Sequence, residues 1–176
     1  MKKRIIIDTD FGGDPDDILA LLYALNSPSL EIAAIISNDE YRKNHRAKAI
    51  QYFIHAAQRS IPVFTGTDLG NENFFLLKQY TDPTRTPPSL LRSRQFIRIL
   101  QSLNAQKNCY YLAIGGLANL ARLYTTHAKD MDHIHFFIMA GTLKKTLAER
   151  GEHNARLDPV ATRTILASHL NMRWIL

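Results

Sequence analysis

Cysteine is all but missing from this chain: Cys109 is its only one, so no internal disulfide can form. That scarcity fits a reducing compartment, and the expected location is cytoplasmic. Long apolar runs are missing as well. No stretch of the sequence approaches the roughly eighteen residues of a membrane span. Behind the basic start Lys2-Lys3-Arg4 the apolar run lasts only from Ile5 to Ile7 before Asp8 interrupts it, so export is not expected. At 176 residues the chain is long enough to do without a stapling disulfide or a structural metal, since a domain of this size buries roughly 70% of its unfolded surface. The expectation is a single domain over residues 1–176.

Acidic residues are outnumbered, 16 against 22 basic ones, for a net charge of +6. A basic surplus points to nucleic acid when it is gathered into one stripe. Here it is scattered over Lys2 to Arg4, Arg42 to Lys48, Arg92 to Arg98 and Lys144-Lys145, in separate segments that make no aromatic-interleaved basic stretch and no recognisable nucleic-acid motif. These read as solvated helix faces, and neither nucleic acid nor a membrane is an expected partner.

Short apolar runs of strand length alternate with segments of helical period, the pattern of a parallel sheet with crossover helices. The expected strands are Arg4 to Asp8, Ile32 to Ser37, Pro62 to Thr65, Tyr110 to Ile114, His135 to Met139 and Arg173 to Leu176. Each is nearly continuous in apolar residues, as a strand covered on both faces requires. Between them run helical stripes: Ile18, Leu19, Leu22 and Leu25; Ala47, Ile50, Ile54 and Ala57; Leu90, Leu91, Ile97 and Leu100; Leu117, Leu120 and Leu123; Val160, Ile165 and Leu166. The polar stretch from Asp68 to Pro88 reads as a loop or lid. The fold class is therefore α/β, a mostly parallel open sheet with helices on both faces. In such sheets ligands bind beyond the carboxyl ends of the strands.

Five aspartates, Asp8, Asp10, Asp14, Asp16 and Asp17, crowd the end of the first strand and the start of the first helix. Two carboxylates about 4 Å apart repel by roughly 4 kcal/mol at an effective dielectric near 20, so their convergence calls for a cation or hydrogen-bond donors between them. Local helix chemistry accounts for part of the set: Asp14 as N-cap, Pro15 at the first helical position, Asp16 and Asp17 in the first turn. It leaves Asp8 and Asp10 unexplained. An all-carboxylate donor set suits a hard ion such as Ca²⁺ or Mg²⁺ rather than zinc. An EF-hand is excluded, because Gly12 and Leu19 stand where that loop needs Asp or Asn and Glu. The Asp8-x-Asp10 spacing is also similar to that of the haloacid-dehalogenase phosphatases, in which the first aspartate is a nucleophile.

The stretch from Ile5 to Leu21, Ile-Ile-Ile-Asp-Thr-Asp-Phe-Gly-Gly-Asp-Pro-Asp-Asp-Ile-Leu-Ala-Leu, resembles the N-terminal signature of the inosine/uridine-preferring nucleoside hydrolases. Further segments agree in order: Ser37-Asn38, Ile61 to Gly66, Gly115-Gly116-Leu117-Ala118-Asn119-Leu120, Ile138 to Gly141, and Glu152-His153-Asn154 followed by Asp158-Pro159. The resemblance implies that Asp10 and Asp17 are Ca²⁺ ligands together with the backbone carbonyl of Ala118, and that Asp14 is a further candidate ligand. It implies that Asp10 is also the general base for a Ca²⁺-bound water, that Asp16, Asn38, Glu152 and Asn154 hold the ribose hydroxyls, and that Met139 lines the sugar pocket. The implied reaction is hydrolysis of the N-ribosidic bond of a small-molecule ribonucleoside, as in purine and pyrimidine salvage, by a homo-oligomer. Its transition state resembles an oxocarbenium ion and needs an activated water on one face.

Members of that family continue past the point matching Leu176, and their later part supplies another aspartate ligand and, in many, a histidine that assists the leaving base. The domain is therefore expected to be incomplete at its C-terminus. Three functional expectations stand side by side: a hydrolase impaired by truncation, a domain that binds nucleoside or ribose and Ca²⁺ without turnover, and a haloacid-dehalogenase-like phosphatase. Other residues carry bland expectations. His133 and His135 read as a surface pair, Cys109 as an inert core thiol, and Gly115-Gly116 as no phosphate loop, since the Lys and Ser/Thr of that motif are absent. His153, in an extended segment, would turn its side chain away from Glu152 and Asn154.

Overall fold

The computed structural model describes residues 2–40, 44–70, 86–143 and 151–176. The elements follow one another as β1 (Lys3–Thr9), α1 (Pro15–Asn26), β2 (Leu30–Ser37), α2 (His45–Ala56), β3 (Val63–Phe64), α3 (Arg94–Asn104), β4 (Cys109–Ala113), α4 (Ala118–His127), β5 (His135–Met139), α5 (His153–Leu157), α6 (Pro159–Leu166) and β6 (Asn171–Ile175). The six strands form one sheet in the order β3-β2-β1-β4-β5-β6, and every pairing is parallel. The expected α/β sheet with crossover helices is present. The chain runs outward from β1 to β3, then returns to the other side of β1 at β4. That reversal puts the switch point between β1 and β4, where the loops leaving the two strand ends diverge and leave a crevice.

Alternate residues along β1 to β4 feed two separate apolar layers, while β5 and β6 contribute to one of them. Ile6, Ala34, Ile36, Tyr111, Phe136 and Ile138 pack on one face against Phe96, Leu100 and Leu103 of α3 and Leu120 and Leu123 of α4. Ile5, Ile7 and Ile35 pack on the other against Leu21 and Ala24 of α1 and Ala49, Ile50 and Ile54 of α2. The ladder between β1 and β2 skips a residue: Ile5 pairs with Ile32 but Ile6 with Ala34, so Ala33 bulges out. Among the described residues no helix is long and apolar enough to cross a membrane.

Several boundaries differ from expectation. The stripe beginning at Leu90 is two pieces, a 3₁₀ turn over Leu90–Arg92 and then α3, because the Ser93 hydroxyl accepts from the Phe96 N–H at 3.2 Å and starts a new helix. Strand β6 begins at Asn171 rather than Arg173, and β3 keeps only Val63 and Phe64, with Thr65 bridged to Ser89. The buried stripe of α1 is Asp17, Leu21 and Ala24, whereas Leu19 is 63% exposed. The helix is rotated so that an aspartate opens its inner face. Most of the expected lid between Asp68 and Pro88 lies outside the described residues.

Candidate active site

The site begins where β1 stops. Beyond Thr9 the chain turns through Asp10-Phe11-Gly12-Gly13, with Gly12 at φ 92°, a region open to glycine at no steric cost. Asp14 takes the extended N-cap conformation, yet its side chain makes no capping bond, and Pro15 occupies the first turn. Asp17 is turned inward and buried, and its Oδ1 accepts from the Thr9 hydroxyl at 2.5 Å. Asp16 stays exposed, its Oδ1 accepting from the Asp17 N–H at 3.0 Å. The loop after β4 comes so close that a Cβ on Gly115 would lie 2.8 Å from the Asp10 nitrogen and 3.1 Å from its Oδ1, so glycine is required there.

The facing wall is built by Glu152-His153-Asn154 at the start of α5. Glu152 caps this helix, accepting from the N–H groups of Asn154 (2.9 Å) and Ala155 (3.0 Å), and also from Gly141 at 2.9 Å. The Asn154 amide donates to the carbonyls of Ile114 (3.0 Å) and Met139 (2.8 Å), and so ties the ends of β4 and β5 together. Between the walls lies a cavity of about 330 Å³. Asp10, Asp14, Asp16, Asp17, Met139, Glu152 and Asn154 all line it. The structure thus brings together seven of the nine residues singled out from sequence.

Asn38 and Ala118 are not among the lining residues. Asn38 is fully buried beneath the site, where its amide donates to Asp8 Oδ1 (3.0 Å) and to the Gly116 carbonyl while its Oδ1 accepts from the Asp39 N–H. Ala118 is buried at the start of α4. Asp8 is likewise buried and away from the cavity. Its carboxylate accepts from Asn38, from Asn119 (2.9 Å) and from the Tyr111 hydroxyl (2.6 Å). This group ties β1, β2 and β4 together at their carboxyl ends, and an aspartate so enclosed cannot serve as the nucleophile that the phosphatase likeness required.

Two cavity residues escaped sequence reasoning. His153 opens α5 instead of lying in an extended segment, so it lines the cavity with Nε2 3.9 Å from Asp10 Oδ2. Arg46, in the first turn of α2, is 4% exposed. Its Nε donates to the Asp39 carbonyl at 2.7 Å, and its Nη1 to the carbonyls of Asp10 and Phe11. The signal for His153 was the acid two residues before Asn154, which starts a helix. For Arg46 the sequence held none, since its partners are backbone carbonyls, two of them 35 and 36 residues away.

Burial, reinforced by the Asp10 charge, pushes Asp17 up to about 8 against the opposing Thr9 hydrogen bond. Asp10 is raised in the same way by burial, with the Arg46 guanidinium opposing the shift. A pair of desolvated, mutually repelling carboxylates is chemically suited to a hard cation, which would relieve both effects. The fit extends to these two side chains: among the described residues no group of three or more His, Cys, Asp or Glu converges on one point.

The description inosine-uridine preferring nucleoside hydrolase matches residues 5–175. The chain belongs to this family. No curated protein matches it in sequence. Solved structures of the same fold include an inosine-guanosine nucleoside hydrolase at 22% identity and a TM-score of 0.75, covering 99% of this chain and 60% of that one. The inosine-uridine preferring nucleoside hydrolase from Bacillus anthracis is 18% identical with a TM-score of 0.74, covering 97% and 63%. The purine-preferring ribonucleoside hydrolase from Gardnerella vaginalis is 20% identical with a TM-score of 0.71, covering 98% and 60%. The chain thus spans about three fifths of the length of these members. Nothing in the family match or the fold supports the phosphatase reading.

Proposed function

We propose that this chain carries the sugar-binding and hydrolytic half of a Ca²⁺-dependent ribonucleoside hydrolase, a cytoplasmic homo-oligomer that splits the N-ribosidic bond into free base and ribose. The observation that carries the reading is the Asp10 and Asp17 pair, desolvated at the switch point and opening on a cavity at the small end of the range for small-molecule sites. Asp10 and Asp17 would hold the ion, with Asp14 beside them on the cavity wall. When bound, a hard divalent cation supplies positive charge that acidifies water and orients a diol.

The protein's own residues do the rest. Asp10 takes a proton from the attacking water as its oxygen forms a bond to the anomeric carbon, while the bond to the base breaks and the base keeps the electron pair. Asp16 and Glu152 accept from ribose hydroxyls. Asn154, with both amide hydrogens given to the Ile114 and Met139 carbonyls, offers its Oδ1 as an acceptor. Met139 gives the sugar an apolar side to rest on. Release of reducing sugar from inosine and uridine in the presence of Ca²⁺ tests this. Asp10→Ala is expected to lower turnover at least ~100-fold, the usual scale of general-base loss, and undiminished turnover in that variant refutes the assignment. The two-carboxylate donor set favours a second reading, a domain that binds ribosides and Ca²⁺ without turnover. Calorimetric heat on adding inosine with no ribose released would select it.

A further inference from the structure

Arg46 carries a permanent charge in a nearly closed space, an arrangement that is costly unless its donors find partners. Its partners are chosen in an unusual way. Nε and Nη1 reach backbone carbonyls on two different strand-end loops, Asp39 after β2 and Asp10 and Phe11 after β1, and Nη2 lies 3.8 Å from Asp39 Oδ2. The loop it grips needs gripping: Gly12 and Gly13 leave that turn conformationally permissive, and the Asp14 side chain adds no capping bond. The guanidinium lies directly against this turn, 3.4 Å from where a Cβ on Gly13 would stand. A lysine ammonium has the charge but not the flat fork that serves several carbonyls at once.

We propose that Arg46 is a positioning residue that holds the turn after β1 in the one conformation directing the Asp10 carboxylate toward Asp17. The proposal rests on the reading above for what that carboxylate pair does. Which residue shapes the pair is a separate matter with its own readout.

Hydrogen exchange of the full chain, compared between wild type, Arg46→Lys and Asp39→Asn, tests it. In Arg46→Lys the amides of residues 10–14 are expected to exchange at least ~10-fold faster, while those of β4 change less than ~2-fold. Asp39→Asn removes only the carboxylate facing Nη2 and suits the backbone there, at φ 45°, so it is expected to fall between the two. Calorimetry with Ca²⁺ alone is expected to show at least ~10-fold weaker binding in Arg46→Lys. Unchanged exchange at 10–14 in the variants overturns the proposal, as does equal acceleration in β4, which would mark a general packing role. Should Arg46→Lys not fold, Asp39→Asn decides by the same criterion. Absence of Ca²⁺ binding in the wild type would sink the hydrolase reading instead, and the exchange pattern would still decide for or against Arg46.

Discussion

Asp17 and Asp8 hold their protons to higher pH in the folded chain than an ordinary aspartate does. Burial, aided by Asp10, pushes Asp17 up to about 8, and burial pushes Asp8 up to about 7 against the bonds from Tyr111, Asn119 and Asn38. Both lose their protons near pH 4 once unfolded. Between about pH 4 and pH 7 to 8 the native chain therefore holds protons the unfolded chain has released, and stability falls as pH rises through that window. The thermal midpoint of the ion-free chain is expected to be higher at pH 5 than at pH 8, and Asp17→Asn to flatten the difference. Parallel curves for variant and wild type would contradict this. Gly115→Ala forces a methyl against Asp10 and is expected to cost about 1–3 kcal/mol in urea denaturation. The aspartates were legible as a set because five carboxylates in ten residues need an explanation. Arg46 was not, because its scattered basic neighbours made it look like another solvated charge. Asn38 was legible as important but not as buried, since hydrogen bonds to Asp8 and Gly116 leave no trace in linear spacing.

Among the elements, α5 is short, and its position depends on two side chains that also face the cavity. Asn154→Ala leaves the carbonyls of Ile114 and Met139 without their donor and is expected to cost about 2 kcal/mol by chemical denaturation. Glu152→Gln keeps the size but not the charge of the cap, and is expected to destabilise less than Glu152→Ala, which removes an N-cap worth about 1 kcal/mol. Most elements were legible because a strand buried on both faces reads as a nearly unbroken apolar run, as Ile5 to Ile7 and Ala34 to Ile36 do. The phase of α1 was legible only in part. Apolar periodicity selected Ile18, Leu19, Leu22 and Leu25, of which Ile18 and Leu25 pack against the core and Leu19 and Leu22 are exposed, while the buried stripe opens on Asp17, a residue that hydrophobic patterning counts as outside. His153 was misplaced for a related reason: a capping Glu152 starts a helix where no apolar stripe announces one.

For the molecule as a whole, strand order was the least legible feature, because β1 pairs not only with β2, the next strand in sequence, but also with β4, about a hundred residues further on. That order nevertheless decides where ligand effects appear. An ion held at the carboxyl end of β1 binds the native chain alone, and at a hundred times its dissociation constant adds about 2.7 kcal/mol. Thermal unfolding with and without Ca²⁺ is expected to show a rise of several degrees at pH 8 that shrinks at pH 5, where protons occupy the same carboxylates. An equal rise at both values would place the ion elsewhere. The bulge at Ala33 has a consequence for evolutionary comparison. Because Ile5 pairs with Ile32 and Ile6 with Ala34, a chain one residue shorter at this point would keep an unbroken ladder. Alignments to family members lacking the bulge should open a one-position gap inside β2, at Ala33, where gap-placement conventions that favour loops would put it wrongly.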